Sequence, residues 1–570
     1  MTQPWRSVLL IIASSSLAAC DGTALPPPPS TGGSGGGAET CSTEQTALPH
    51  SVDSARAAAA LQELANAFPL DPPRGPHLSW FVLRQSPAIA SYRYTSRVYG
   101  ALAVGDLDGD DTIDLVASGN ATPLGVFLNP GDFEFNEATA ASGLSDVYSH
   151  SLALGDLDND GDRDLVTTER LKLRIFANDG AGHFSASGEY EAPEVPADHL
   201  LLVDVDNDGL LDIFGGYPPG LSAFDRSGPN RLFRNSGELT FADISDELEL
   251  PVDGKSWASG ACDLDGDDDQ DIVVANDGNV IDFGERSETR SEVDFPFNGA
   301  LFNQSAGQRF VDEAESLGLQ GPYSSMGVLF EDLDRDGTFE IFITDFGANK
   351  LMQRGANGRY RDVAADFGLD PAHRINDRCD ETLETADCLL VSWGAAFRDF
   401  DLDGVDELLV ANHEADTGFG QPMQLFKKDG DRYREYSLGI PSVPTHALVT
   451  ADFDADGDLD FATSTVGQGL LVFENIVGDR CEGNWLGVRL RSRQEGEGIG
   501  ATVTVEQEDG QRQMRLITSG GVPHGSVLSE THFGLGDHTA QRVTVHWPSG
   551  ADSVLENPPE RSRVVIREGD

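Results

Sequence analysis

The sequence predicts an all-β protein in which a repeated unit of short strands closes into a propeller or stacks as an array, with a smaller second domain behind it. Three observations predict this. An acidic nine-residue motif recurs seven times between residues 106 and 460. Its flanks are short apolar runs bounded by turn residues, such as SLALGD and DLVTT, or GVLFED and EIFIT, which read as strands. At 570 residues, 39% of them hydrophobic, the chain is long enough for a large core and a further domain.

The copies begin at Asp106 (DLDGDDTID), Asp156 (DLDNDGDRD), Asp204 (DVDNDGLLD), Asp263 (DLDGDDDQD), Asp332 (DLDRDGTFE), Asp399 (DFDLDGVDE) and Asp452 (DFDADGDLD). Successive starts are 50, 48, 59, 69, 67 and 53 residues apart. A period of this size marks repeated supersecondary units.

Carboxylates at positions 1, 3, 5 and 9, with a carbonyl from position 7, form a hard oxygen donor set. They repel one another unless a cation holds them. Ca2+ suits them, since it takes about 6 to 8 oxygens at about 2.3 to 2.6 Å in flexible geometry. The candidate donors are Asp106, Asp108, Asp110 and Asp114 in the first copy, and Asp156, Asp158, Asp160 and Asp164 in the second. The third and fourth copies offer Asp204, Asp206, Asp208 and Asp212, then Asp263, Asp265, Asp267 and Asp271. The fifth and sixth close on glutamate, with Asp332, Asp334, Asp336 and Glu340, then Asp399, Asp401, Asp403 and Glu407. The seventh has Asp452, Asp454, Asp456 and Asp460, so up to seven calcium ions are expected.

Gly161 lets the second loop turn sharply. Asp111 and Asp268 stand at that position in copies one and four, where an aspartate adopts the left-handed conformation at some cost, so those two sites are expected to be weaker. An EF-hand is excluded, because it needs an acidic residue at position 12 and flanking helices. Position 12 here is Ala117, Thr167, Gly215, Val274, Ile343, Val410 and Thr463. Each loop is therefore read as a calcium-binding β-hairpin turn.

With 96 acidic and 39 basic residues the chain carries −57, and seven divalent ions would offset only fourteen of those charges. Nucleic acid and anionic surfaces are excluded as partners on this ground.

Residues 1–20 carry Arg6, the apolar run VLLIIA and LAAC ending at Cys20. They resemble a bacterial lipoprotein signal peptide, with Cys20 lipidated to anchor the protein to a membrane; the alternative is an ordinary secretory signal with an incidental cysteine. Residues 21–50 begin as a Pro/Gly/Ser-rich linker that holds the fold away from a bilayer. Its GGSGG matches the GxSxG nucleophile pattern, but no strand precedes it, and it reads as tether. Residues 51–78 contain SVDSARAAAALQELANAF, a helix with Ser51 or Asp53 as N-cap. Among the remaining cysteines, Cys379 and Cys388 bracket a short acidic loop and are expected to pair in an oxidising compartment. Cys262 precedes a motif aspartate within a strand and is expected to be a buried thiol, and Cys41 with Cys481 is the remaining pairing considered.

After the motif hairpins a third strand runs into a short Asn/Gly turn and a Phe or Tyr strand, as in LRIFANDGAGHF (173–184), NRLFRNSGELTF (230–241) and NKLMQRGANGRY (349–360). Together with the DxDxDGxxD loops this resembles the FG-GAP and VCBS repeats of integrin-α-like propellers. From Asn484 the chain reads NWLGVRL, GIGATVTV, THFGLGD and VTVHWPSG, which resembles the ASPIC and UnbV-type C-terminal domain. Repeats followed by that domain resemble the bacterial members of the cartilage acidic protein family. The resemblance implies a seven-bladed β-propeller with calcium-binding hairpin loops over 79–480, a small β domain over 481–570, and an extracytoplasmic address. It implies no established reaction.

Seven units of four short strands would bury apolar faces that no unit buries alone. The seventh unit lacks an outer strand, and WFVLRQSPAIASYR, Trp80 to Arg93, is expected to supply it and close the ring. In such a blade the calcium hairpins and Asn/Gly turns share one face. The long connections at 215–229, 277–299, 413–423 and 371–391 crowd the other, where recognition is expected.

Six residues before each first aspartate lie Gly100, His150, Asp198, Trp257, Met326, Trp393 and His446, at the mouth of the central channel. His150, Trp257, Trp393 and His446, with Asn276, Asp277, Asn412 and His413 just past second strands, are candidates for stacking on and hydrogen-bonding to a glycan or protein ligand; the other possibility is that they plug the channel. Two function classes follow. A binding or adhesion module needs only the scaffold, the calcium and the loops, and is favoured. A carbohydrate-active hydrolase or lyase would use His150 and His446, yet no HExxH or P-loop is present.

Overall fold

The computed structural model describes residue 62 and residues 78–569, except 79, 94–99, 120–121, 170–171, 192–198, 217–227, 251–252, 255, 278–298, 305–306, 322, 371–389, 414–420, 467–468, 478–482, 522–524 and 528. Cys20, the linker, nearly all of the segment 51–78 expected to be a helix, Asp198, Cys41, Cys379, Cys388 and Cys481 lie outside the described residues, as do most of the long connections.

The described protein is all-β. The first four-stranded antiparallel sheet is Gly100–Gly105, Asp114–Gly119, Thr122–Leu128 and Asn136–Glu137. Five more follow the same plan, with first strands Leu152–Gly155, His199–Val203, Ser256–Cys262, Ser325–Glu331 and Ser392–Arg398. In each, the acidic motif joins first strand to second, so that position 9 opens the second strand. Gly105 pairs with Asp114, Gly155 with Asp164 and Arg398 with Glu407.

The seventh sheet is assembled from distant parts of the chain. Thr445–Ala451, Asp460–Thr465 and Leu470–Asn475 supply three strands, and Phe81–Arg84 is the fourth, with Phe81 opposite Asn475 and Arg84 opposite Val472. The N-terminal outer strand expected from the sequence is present but shorter than Trp80 to Arg93. Pro87 has no N–H to donate to a ladder, and Pro87–Ser91 turns into a short helix whose N-cap, Ser86 Oγ, accepts from Ile89 N.

Each first strand packs beside the first strand of the next sheet, and Thr445–Ala451 packs beside Gly100–Gly105. The seams are apolar. Leu102 and Val104 of the first sheet meet Ala447 and Val449 of the seventh, all at most 1% exposed, and comparable clusters fill the other six seams.

Residues 484–567 form two further sheets. In one, Asn484–Arg491 pairs antiparallel with Glu530–Gly536 and parallel with Ser562–Arg567; the other orders Arg512–Leu516, Thr502–Gln507, Ala540–His546 and Asp552–Glu556. Their core, including Val488, Val503, Phe533 and Trp547, is continuous with the apolar seam between the second and third sheets.

Candidate metal centres and their surroundings

The loop at Asp156 shows how the motif folds. Asp156 accepts hydrogen bonds from Asp160 N at 3.1 Å and Gly161 N at 3.0 Å, and Asp160 Oδ1 accepts from Asp162 N at 3.0 Å. Asp164 accepts from Leu157 N at 3.1 Å and from Asn178 N at 3.0 Å, so the ninth residue ties the loop start to the third strand. At position 6, Asp111 and Asp268 have φ 67° and 69°, the left-handed conformation expected of them. Position 4 is left-handed as well: Asn159 and Leu402 have φ 59° and 56°, while the two loops with aspartate at position 6 carry Gly109 and Gly266 there.

These turns aim the carboxylates inward. In the first four loops one oxygen each from positions 1, 3 and 9 (Asp106, Asp108 and Asp114; Asp156, Asp158 and Asp164; Asp204, Asp206 and Asp212; Asp263, Asp265 and Asp271) lies within 4.8 Å of the others. In the fifth loop Asp332, Asp334 and Asp336 make such a group. The ninth-position side chains are buried, with Asp114, Asp212 and Asp271 at 0% exposure.

Burial, with the neighbouring carboxylates adding to it, pushes Asp114, Asp164, Asp212 and Asp271 up to about 8, and Asp156 and Asp204 up to about 7. Near neutral pH such a cluster needs a proton or a cation. Asp108 Oδ1, Asp158 Oδ1 and Asp206 Oδ1 are buried with no hydrogen-bond partner. Unsatisfied anionic oxygens facing a convergent set of hard donors fit Ca2+.

The sixth loop departs from the expectation that Asp399, Asp401, Asp403 and Glu407 stand ready for an ion. Lys427 Nζ lies 2.7 Å from Asp401 Oδ2, 2.8 Å from Asp403 Oδ2 and 3.0 Å from Glu407 Oε1. In the corresponding third-strand place, one residue beyond the partner of position 10, the first, second and fourth sheets carry Leu128, Ala177 and Phe302, and the third carries Arg234, whose Nε lies 3.1 Å from Asp206 Oδ2.

Residues 491–570 match the family described as ASPIC and UnbV, and residues 106–167, 156–215 and 204–274 match the FG-GAP-like repeat. The chain carries FG-GAP-like repeats followed by an ASPIC/UnbV domain. It is homologous to cartilage acidic protein 1, being 28% identical to the Mus musculus protein over 258 residues and 29% identical to the Homo sapiens protein over 259. Each match covers 44% of this chain and 38% or 37% of the relative, so the chain matches well under half the length of these relatives. A solved structure concerning recognition of non-reducing terminal N-acetylglucosamine by an Agrocybe aegerita lectin aligns over 70% of this chain and 94% of its own, at 16% identity and a TM-score of 0.31.

An asparagine role was not anticipated beyond the turn it occupies. At the end of the third strand in five FG-GAP-type sheets, Asn129, Asn178, Asn235, Asn303 and Asn475 donate Nδ2 to the position-2 carbonyl of the preceding loop, those of Phe453, Leu107, Leu157, Val205 and Phe400, at 2.7–2.9 Å. Arg354 does the same to Leu264 O at 2.6 Å in the fifth sheet. Six of the seven acidic loops are thereby held by the next sheet.

The ASPIC/UnbV domain rests on these loops. Arg489 meets Asp111 at 3.2 Å, Gln494 Nε2 donates to Asp208 O at 2.7 Å, His546 meets Asp268 at 2.9 Å, Arg515 meets Asp406 at 2.6 Å and Arg563 meets Asp452 at 2.8 Å. A stretch of the domain also bonds to the first strands. Ser519 Oγ donates to Leu202 O, Gly521 N to Ser259 O and Ser526 N to Leu102 O, at 2.8–3.0 Å.

The residues expected at the channel mouth do come together, but most of them as a packed cluster. Trp393 stacks on His413 with centroids 4.8 Å apart, lies 4.5 Å from His446, and meets Trp257 edge-on at 5.5 Å. His413 Nε2 and His446 Nδ1 are hydrogen-bonded at 3.0 Å. Trp393 is 1% exposed, and His413, His446, Asn276 and Asn412 are 0% exposed. Ring stacking fills this place, and Ser256 Oγ and Ser392 Oγ donate to Asn276 and Asn412. Trp257 and His150 stay half-buried, and burial lowers the His150 pKa to about 4, leaving the ring neutral. Met326 packs into the same cluster. Cys262 is a buried free thiol, as expected.

Proposed function

We propose that the chain is an extracytoplasmic calcium-binding propeller of seven blades that serves as a binding or adhesion module for a glycan or protein ligand. The closed order of seams, including the one between the first and seventh sheets, supports the seven-bladed ring. The partnerless buried oxygens in the loops support calcium. FG-GAP repeats, the ASPIC/UnbV domain and homology to cartilage acidic protein 1 support an extracellular binding module, and the signal-like N-terminus with Cys20 supports a lipid anchor.

The observation that carries this reading is the seating of the ASPIC/UnbV domain on the acidic loops, by contacts such as Arg489 to Asp111 and Arg563 to Asp452. Calcium then serves as a structural staple beneath a docked domain, and ligand is received at the opposite end of the ring, near Trp257 and His150. The hydrolase alternative has less support, because His446 is fully buried and bonded to His413. A glycan array and a protein pull-down with the calcium-loaded chain test the reading. Binding that falls at least tenfold in Trp257→Ala and persists in Arg563→Ala supports recognition at the far end. Turnover of a polysaccharide that is lost in His150→Ala would favour the enzyme.

A further inference from the structure

We propose that the sixth loop is closed by a built-in cation, the Lys427 ammonium, and that the chain binds calcium at no more than six of its seven loops. This rests on the reading that the other loops take calcium.

The lysine side chain sits where an ion would bridge the carboxylates. Its Nζ touches one oxygen each of Asp401, Asp403 and Glu407, which are positions 3, 5 and 9 of the motif, at 2.7–3.0 Å. The position-1 carboxylate, Asp399, accepts from Asp403 N at 3.0 Å and Gly404 N at 2.6 Å, as Asp156 does from its own loop, so the lysine contacts are what set the sixth loop apart. A calcium ion at the centre of those oxygens would lie within a few ångströms of the ammonium, where like charges repel. The lysine is also anchored. It belongs to the strand Gln424–Asp429, pairs opposite Arg434, and carries its ammonium 5.4 Å over the Trp80 ring. Expelling it would break these contacts together with three charge-assisted hydrogen bonds.

The neighbouring loops differ in how far this place reaches in. Leu128, Ala177 and Phe302 offer no donor there, and Arg234 of the third sheet meets position 3 alone, its Nε 3.1 Å from Asp206 Oδ2. In the fifth loop, the other one that ends in glutamate, Gln353 Nε2 reaches Asp334 at 2.8 Å and Glu340 at 3.3 Å, a neutral donor where the sixth loop has a charged one. Glutamate at position 9, longer than aspartate by one methylene, accompanies a side chain reaching in from the third strand in both cases.

Calcium counted per chain by elemental analysis, after dialysis to remove loose ions, tests this on four full-length proteins. Asp401→Asn with Asp403→Asn is expected to hold as many ions as wild type, and Lys427→Met one more. Asp158→Asn with Asp160→Asn is the control and is expected to hold one fewer. Loss of an ion in the Asp401/Asp403 variant overturns the proposal, as does an unchanged count in folded Lys427→Met. If Lys427→Met does not fold, the Asp401/Asp403 comparison alone decides. A control that loses no ion refutes the calcium reading itself, which is a separate failure.

Discussion

Arg563 of the ASPIC/UnbV domain lies 2.8 Å from Asp452 Oδ2, the first carboxylate of the seventh acidic loop. The same carboxylate accepts the loop's own Gly457 N at 3.0 Å, and Arg563 also meets Glu530 at 3.3 Å. Burial pushes Asp452 up to about 6, with Arg563 opposing the rise. One side chain thus takes part both in shaping an acidic loop and in docking the second domain.

Arg563→Ala is expected to destabilise the protein by about 1–2 kcal/mol, the range for a partly exposed, charge-assisted hydrogen-bonded pair. Limited proteolysis should then cut more readily within 484–567. Urea unfolding with and without Asp452→Ala checks whether the two effects are coupled.

The calcium-free protein is expected to lose stability as pH rises from about 4 to about 8. Asp114, Asp164, Asp212 and Asp271 sit near 8 in the folded chain against an ordinary 3.8. Between those values the native state binds more protons than the unfolded state, so stability falls with pH. Calcium replaces those protons and should reverse the trend. Urea midpoints of metal-stripped and calcium-loaded protein at pH 5 and pH 8 provide the check.

Trp393→Ala should cost about 3–5 kcal/mol, because a fully packed tryptophan leaves a cavity, and should leave ligand affinity of the folded protein nearly unchanged. Trp257→Ala should cost less stability and more affinity. Melting curves and binding isotherms on both variants distinguish packing from recognition.

Leu83 is 1% exposed in the N-terminal strand of the seventh sheet, so Leu83→Ala is expected to destabilise by about 2–5 kcal/mol. Deleting residues 1–86 bares the edge of Leu470–Asn475 and should promote aggregation, which light scattering measures.

The repeat was legible because the acidic motif keeps its carboxylates at fixed spacing, and that spacing survives in the sequence whatever surrounds it. The borrowed outer strand at Phe81–Arg84 was legible from its likeness to other outer strands, and the left-handed Asp111 and Asp268 from motif alignment. Lys427 was not. It lies 20 residues beyond Glu407, and only strand register brings its ammonium to the loop. That Trp393 and His446 could plug the channel was legible, but which rings pack together was not, for a related reason: counting back from each aspartate finds the strand end but not the ring that packs over it. Asn178 and Asn235 were visible as turn residues, whereas their bonds to the preceding sheet depend on how one sheet is placed against the next. The seating of the ASPIC/UnbV domain on the acidic loops left no periodic trace at all.

The most direct test of the central claim, that calcium ions hold these loops and through them the fold, is the melting temperature of the same protein in EDTA and after Ca2+ or Mg2+ is restored, with metal content determined in parallel. Ions that bind only the native chain stabilise it by mass action, and Mg2+ retains water and prefers fewer protein ligands. The account predicts several bound calcium ions per chain, a melting temperature many degrees lower in EDTA, and recovery by Ca2+ better than by Mg2+. An unchanged melting curve in EDTA, with no calcium found in the untreated protein, would contradict it.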